Sequence, residues 1–185
     1  MSQPAPRRFV FLLSSARPGG NSAQLAQRAA LGLDAPATWF DLAQLDLPAF
    51  ADPRPGAAPG LPTGDLARVT QALLAATDIC FVAPVYWYAL PAPAKLLLDH
   101  WSGFLDQPQM GFAGAMRGKA VWLVTTRADP DPTVPHLPEA MLRRSVGWLG
   151  MRWRGALHGI ADAPSEITQD DSFARAPQFF RQGHD

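Results

Sequence analysis

Three short stretches hold the residue types that could do chemistry. The first is Ser14-Ser15-Ala16-Arg17-Pro18-Gly19-Gly20-Asn21-Ser22, which packs hydroxyls, a guanidinium and two glycines ahead of a helical pattern. A helix start leaves backbone N–H groups unpaired and carries partial positive charge, so it is a ready anion site. Gly20 lets the backbone approach such a group, Ser14, Asn21 and Ser22 offer polar side chains, and Arg17 offers a fixed fork of donors suited to phosphate. The competing reading is an ordinary strand-to-helix turn capped by Asn21 or Ser22. The second stretch, Pro84-Val85-Tyr86-Trp87-Tyr88-Ala89-Leu90-Pro91, places three consecutive aromatics after an apolar run, with prolines at both ends. Such rings suit the walls of a site for a flat conjugated ligand; an interface patch or a cover for a sheet end is the alternative, and the two are compatible. The third, Thr125-Thr126-Arg127-Ala128-Asp129, offers hydroxyls and amides to the polar edge of a ring system, with Arg127 either facing that edge or hydrated at the surface.

Other chemistries lack their residues. No G-x-G-x-x-G occurs, and Gly118-Lys119 has Ala113 and Ala120 where a P-loop needs glycine and Ser or Thr. No G-x-S-x-G elbow is present. His100, His136, His158 and His184 are scattered singly with no metal spacing, and His100 reads as structural. Lys95 and Asp99, four apart, read as a surface ion pair on a helix.

The elements that must position these stretches alternate. Apolar runs at Phe9–Leu13, Ala37–Leu42, Asp78–Ala83, Ala120–Thr126 and Met151–His158 read as strands. Between them Leu25, Ala29 and Leu33, then Leu66, Val69, Leu73 and Leu74, carry helical spacing. So do Ala94, Leu97, Leu98, Trp101, Phe104 and Leu105, the clearest stripe, and Leu137, Met141, Ser145 and Trp148. A last weak helix falls within residues 170–182. Ala51–Gly64 and Asp129–Pro138, with four prolines each, read as exposed loops. The alternation predicts a doubly wound, five-stranded parallel sheet with helices on both faces. Ligands bind such sheets beyond the carboxyl ends of the strands, which is where all three stretches fall.

The 185 residues suit a single domain over 1–185, with 1–7 flexible and 161–185 a C-terminal tail. Sixteen basic and sixteen acidic residues cancel, without long runs of either sign. The sequence therefore shows no electrostatic footprint for nucleic acid or an anionic membrane. The apolar stretch behind Arg7-Arg8 is only five residues, too short for a signal peptide or a membrane span. With the lone Cys80 inside an apolar run, the chain reads as cytoplasmic.

The Ser14–Ser22 and Pro84–Lys95 segments together resemble the NADPH-dependent FMN reductases of the flavodoxin superfamily. Gly118 to Thr125 and Leu149-Gly150-Met151-Arg152-Trp153 also resemble that family, so the likeness spans roughly residues 8–160. It implies a flavodoxin-like fold, FMN phosphate held by Ser14, Arg17, Asn21 and Ser22, and a flavin ring lined by Pro84 to Tyr88. It also implies an NAD(P)H oxidoreductase, taking electrons from NADH or NADPH and passing them through FMN to a quinone, azo compound or free flavin, and often a homodimer. Chemistry carried by FMN needs no side-chain acid or base. The family's third loop is often glycine-containing where this chain has Arg127-Ala128, which puts the contacts to the flavin's pyrimidine edge in question; a cation there would favour the anionic reduced flavin. A flavodoxin-like electron carrier is the alternative, though a carrier docked by charge needs a strong single-sign surface and this chain is neutral. A non-catalytic FMN-binding module is the other.

Overall fold

The first strand, Phe-Val-Phe-Leu-Leu, is apolar on both faces, so it is stable only with a layer on each side. The computed structural model, which describes residues 6–52 and 60–181, places it accordingly. Five parallel strands, β1 (Phe9–Leu13), β2 (Ala37–Asp41), β3 (Asp78–Pro84), β4 (Ala120–Arg127) and β5 (Arg152–Ile160), run in the order β2-β1-β3-β4-β5. The winding therefore reverses between β1 and β3, opening a crevice at their carboxyl ends. Val10, Leu12, Ile79, Phe81, Val121 and Leu123 face one layer, built on α2 (Gly64–Ala75), α3 (Ala92–Leu105), α4 (Phe112–Met116) and α5 (His136–Trp148). Phe9, Phe11, Cys80, Val82, Trp122 and Val124 face the other, which holds α1 (Asn21–Ala30) and the C-terminal segment.

That segment differs from the tail expected over 161–185. As far as Arg181 it is a layer of the core: two 3-10 turns, Glu166–Gln169 and Ala176–Arg181, flank α6 (Asp171–Arg175). Ile167 and Phe180 are fully buried, and Phe180 meets Phe9, Phe11 and Trp122 edge-on. Gly32 is a glycine for this reason, since a Cβ there would stand 1.8 Å from the Pro177 carbonyl. Of the residues expected to be flexible, 1–5 lie outside the described residues, while Arg7 is tied to the sheet. Residues 53–59 of the first proline-rich loop, His184 and residue 182 of the last helix also lie outside them.

Two helical readings need correction. The stripe Leu137, Met141, Ser145, Trp148 does not face the sheet; Pro138, Leu142 and Val146 do, and Leu137 and Trp148 are 64% and 74% exposed. The buried set is offset by one residue, about 100° around the helix, and a four-residue spacing fits either face. Pro138 also belongs to the first turn of α5 rather than to the preceding loop, as a missing N–H is harmless there. In α3, Lys95 and Asp99 form the expected ion pair, and His100 is structural, its Nε2 2.8 Å from the Pro48 carbonyl.

The amino edge of the sheet is fastened by Asp78, a carboxylate 3% exposed at the start of β3. Arg7 donates from Nη2 (2.6 Å) and Nε (3.2 Å), the Trp122 indole from 2.9 Å and the Thr77 hydroxyl from 2.8 Å. Burial pushes this carboxyl up, but the hydrogen bonds from Arg7, Trp122 and Thr77 outweigh it and hold it below the ordinary range. A folded pKa below the unfolded value adds stability that is present at neutral pH and is lost as pH falls through the folded value. Removing one partner of a buried pair strands the other, so Asp78→Ala should cost about 3 kcal/mol in urea denaturation at pH 7. Its stability should also fall less steeply than the wild type's below about pH 4. Parallel acid profiles for the two proteins would remove Asp78 from this role.

Candidate functional site

The turn after β1 is wound by its own backbone and leaves its donors outward. The Ser14 amide and hydroxyl donate to the Val82 carbonyl (3.0 and 3.2 Å), extending the pairing of β1 with β3. Ser15 Oγ accepts the Arg17 amide (3.1 Å), and the Gly20 amide donates to the Arg17 carbonyl (3.2 Å). A Cβ on Gly20 would lie 3.1 Å from that carbonyl, so the turn closes most easily on glycine. The N-cap of α1 is Gly20, with no side-chain cap. The expectation that Asn21 or Ser22 caps the helix is thus corrected: Asn21 is the first helical residue, and its Nδ2 donates to the Ala163 carbonyl (3.0 Å) beyond β5. The first N–H groups of α1 are left without a side-chain partner, beside an Arg17 guanidinium that has none among the described residues.

The loop after β3 folds into a two-residue hairpin. Tyr86 and Ala89 exchange backbone hydrogen bonds of 3.1 and 3.0 Å, and the residues between them, Trp87 and Tyr88, have φ of 49° and 61°. Positive φ at both central positions is the pattern that Asn-Gly normally fills, and each bulky side chain there costs about 1–2 kcal/mol. Trp87 recovers little of this by burial, being 94% exposed. The Tyr86 hydroxyl lies 3.5 Å from Ser15 Oγ, closing the hairpin toward the first turn.

These parts enclose a cleft of about 280 Å³ at the carboxyl edge of the sheet. Ser15, Arg17, Gly20, Asn21 and Ser22 form one wall, Pro84, Val85 and Tyr86 a second, and Thr126, Arg127, Ala128, Ala161 and Asp162 the rest. Trp87 and Tyr88 lie next door, on a cavity of about 220 Å³ that shares Val85, Arg127 and Ala128 with the cleft. Of the expected set, Arg17, Gly20, Asn21, Ser22, Pro84, Val85, Tyr86, Thr126 and Arg127 line the cleft, Trp87 and Tyr88 line only the adjoining cavity, and Ser14 and Thr125 are buried and line neither. Ser15, Ala128, Ala161 and Asp162 are additional; the last two follow β5, and the same rule about carboxyl ends points to them.

Arg127 is neither a loop residue nor hydrated. It ends β4, is 8% exposed, and donates from Nε to the Asp131 carbonyl (3.0 Å) and from Nη2 to the Pro130 carbonyl (3.3 Å). It organises the proline-rich loop and puts a fixed charge in the cleft wall. Nearby, His158 Nε2 sits 3.0 Å from Glu139. Burial holds its pKa below the ordinary value despite the attraction of Glu139. Among the described residues, no group of three or more His, Cys, Asp or Glu could hold a metal ion.

A sheet in this order, with an uncapped helix start and an aromatic hairpin facing each other at the switch point, defines a doubly wound α/β protein suited to a flat, phosphate-bearing ligand. The chain belongs to the flavodoxin-like fold family, whose model matches residues 7–178. It is similar to a putative NAD(P)H-dependent FMN-containing oxidoreductase, YwqN, from Bacillus subtilis strain 168, with 26% identity over 166 residues covering 88% of this chain and 90% of that protein. Among solved structures, the Trp repressor binding protein from Bacillus subtilis matches with a TM-score of 0.75 at 20% identity, over 96% of this chain and 99% of the other. An NAD(P)H:quinone oxidoreductase from Methanothermobacter marburgensis matches with a TM-score of 0.73 at 13% identity, over 98% and 99%. At such identities the two structures speak for the fold alone.

The hairpin makes a prediction of its own. Replacing Trp87→Asn and Tyr88→Gly together should raise stability by about 1–2 kcal/mol, since it relieves two unfavourable φ values and gives up an exposed ring. Chemical denaturation measures it. An equal or lower stability would show that the two aromatics recover their backbone cost through contacts in the fold.

Proposed function

We propose that the chain is an FMN-dependent NAD(P)H oxidoreductase that passes electrons to a small acceptor of the quinone, azo or flavin type. The observation that carries this reading is the convergence on one cleft of the uncapped start of α1, Arg17 and the aromatic hairpin. The residues fit FMN. The α1 amides and the Arg17 fork match a phosphate. Asn21 Oδ1, buried at the cleft wall without a partner among the described residues, is an acceptor that a donor such as a ligand hydroxyl would satisfy. Pro84, Val85 and Tyr86, with Thr126 beside them on the neighbouring strand, offer a ring system a wall, and Trp87 and Tyr88 lie at the adjoining cavity. When bound, FMN supplies the hydride chemistry between nicotinamide and acceptor. The protein's part is to hold the phosphate, flank the ring and set the local charge, where Arg127 favours a more negative ligand. The similarity to YwqN agrees with this activity. No helix among the described residues is long and apolar enough to cross a membrane, and burial raises the Cys80 thiol well above its ordinary value. Both are compatible with a cytoplasmic enzyme.

The purified chain should bind FMN at one site and bleach with NADPH or NADH. Arg17→Ala should weaken FMN about ten- to a hundredfold with the fold intact, the worth of one charge-assisted bond. Calorimetry with FMN decides it: no binding heat in the wild type overturns the proposal, and unchanged affinity in the variant frees Arg17 from the phosphate.

The same reading includes a homodimer. Trp101 is 4% exposed and belongs to the core. Its indole nitrogen nevertheless lacks a partner among the described residues, and the ring lines a groove with Leu98, Met141 and the exposed Trp148. A groove between α3 and α5 with an apolar centre, a rim of Lys95, Asp99, Ser102 and Ser145 and an unmet donor suits a second copy. Sedimentation should give a dimer at micromolar concentration and a monomer for Trp148→Asp. A monomeric wild type would refute it.

A further inference from the structure

A groove of about 800 Å³ lies at the opposite, amino edge of the sheet, separated from the cleft by the length of β4, roughly 25 Å. Arg7, Arg8, Arg117, Lys119, Arg152 and Arg154 all line it, against one carboxylate among the described residues, Asp78. That carboxylate is already engaged by Arg7, Trp122 and Thr77. The cations are far apart in sequence and are assembled by the strand starts. Part of this charge has an internal use. Helices α2 and α4 end here, and Arg8 Nε donates to the Ala75 carbonyl (2.9 Å), Lys119 Nζ to the Leu74 (2.9 Å) and Ala76 carbonyls, and Arg152 Nε to the Gly118 carbonyl (2.9 Å).

The internal use leaves a surplus. Arg8 and Arg152 spend only Nε, so their Nη groups remain as donors, and Arg117 makes no side-chain hydrogen bond or ion pair with any described residue. Arg117 and Arg152 are exposed. Lys119 has its pKa lowered by burial and by repulsion from Arg8, as expected where like charges crowd. Between the cations runs an apolar floor of Leu74, Ala75 and Ala115. Free guanidinium forks select phosphate oxygens, several of them select linked phosphates, and an apolar floor selects an attached organic body.

We propose that this groove is a second ligand site, for a small molecule carrying linked phosphates on a compact organic body, of the nucleoside polyphosphate class. It is remote from the cleft, so it neither requires nor excludes the redox reading.

The test is calorimetric titration of the full chain, preincubated with excess FMN to fill the cleft, using ATP without magnesium and inorganic tripolyphosphate. Both should bind, ATP the tighter, and both should weaken as salt is raised. Arg117→Gln with Arg152→Gln should weaken ATP at least about tenfold while FMN affinity stays unchanged. No binding of either anion at low salt overturns the proposal, as does equal ATP affinity in wild type and variant. A short duplex DNA that binds more tightly than ATP at equal salt also overturns it, in favour of a nucleic-acid surface.

Discussion

All five strands run the same way, and the rest of the molecule follows from that polarity. Each crossover returns the chain through a helix, so helix starts gather at the carboxyl edge of the sheet and most helix ends at the amino edge. Unpaired N–H groups and partial positive charge collect at one edge, and unpaired carbonyls and partial negative charge at the other. The carboxyl edge is then ready for an anion, provided that no side chain occupies the α1 amides. Gly20 at the cap meets this condition. Asn21 could have capped the helix one position earlier; as the first helical residue it reaches across to Ala163 instead.

The amino edge has the complementary requirement. Its carbonyls need donors, and Arg8, Lys119 and Arg152 supply them. A neutral chain thereby acquires a strongly positive edge, which no count over the whole sequence shows. The Asp78 cluster stands in the same place because a cationic edge can stabilise a buried carboxylate, and Arg7 binds the chain's start to β3 and to the Phe180 carbonyl together.

This polarity explains what could be read from the residues alone. Alternation of apolar runs and helical stripes is local and strong, so five strands, their parallel direction and the loops facing the cleft were legible. The buried face of α5 was not, because Leu137-Met141-Ser145-Trp148 and Pro138-Leu142-Val146 are both regular stripes and only contact with the sheet selects one. The C-terminal layer was hidden because three short turns carry no sustained period, although Phe179 and Phe180 bury as deeply as strand residues. Arg127 looked like a loop residue because an arginine at the end of a strand is at home only when carbonyls meet it, and those of Pro130 and Asp131 do so from a loop without a pattern. The six cations of the amino edge were invisible for a different reason, since they lie at three separate sequence positions and become neighbours only through the register of β1, β3, β4 and β5.

Strain completes the account of the cleft. A hairpin of Tyr86-Trp87-Tyr88-Ala89 keeps two aromatic residues at positive φ where Asn-Gly would be relaxed, and most of the Trp87 surface stays in water. Stability alone gives no reason for that choice. The hairpin is anchored at both ends, by the Val85 amide on the Thr126 carbonyl (2.8 Å) and by the turn into α3 at Pro91, so its backbone cost is carried by a rigid sheet. Tension concentrated in one exposed turn, and borne by the best-packed strands, is where function departs from the energetically preferred sequence. That turn borders the same cleft as the uncapped helix. Two independent departures from local optimum, a helix without a side-chain cap at the cleft of about 280 Å³ and a hairpin without its glycine at the adjoining cavity of about 220 Å³, thus fall side by side at the carboxyl edge of the sheet.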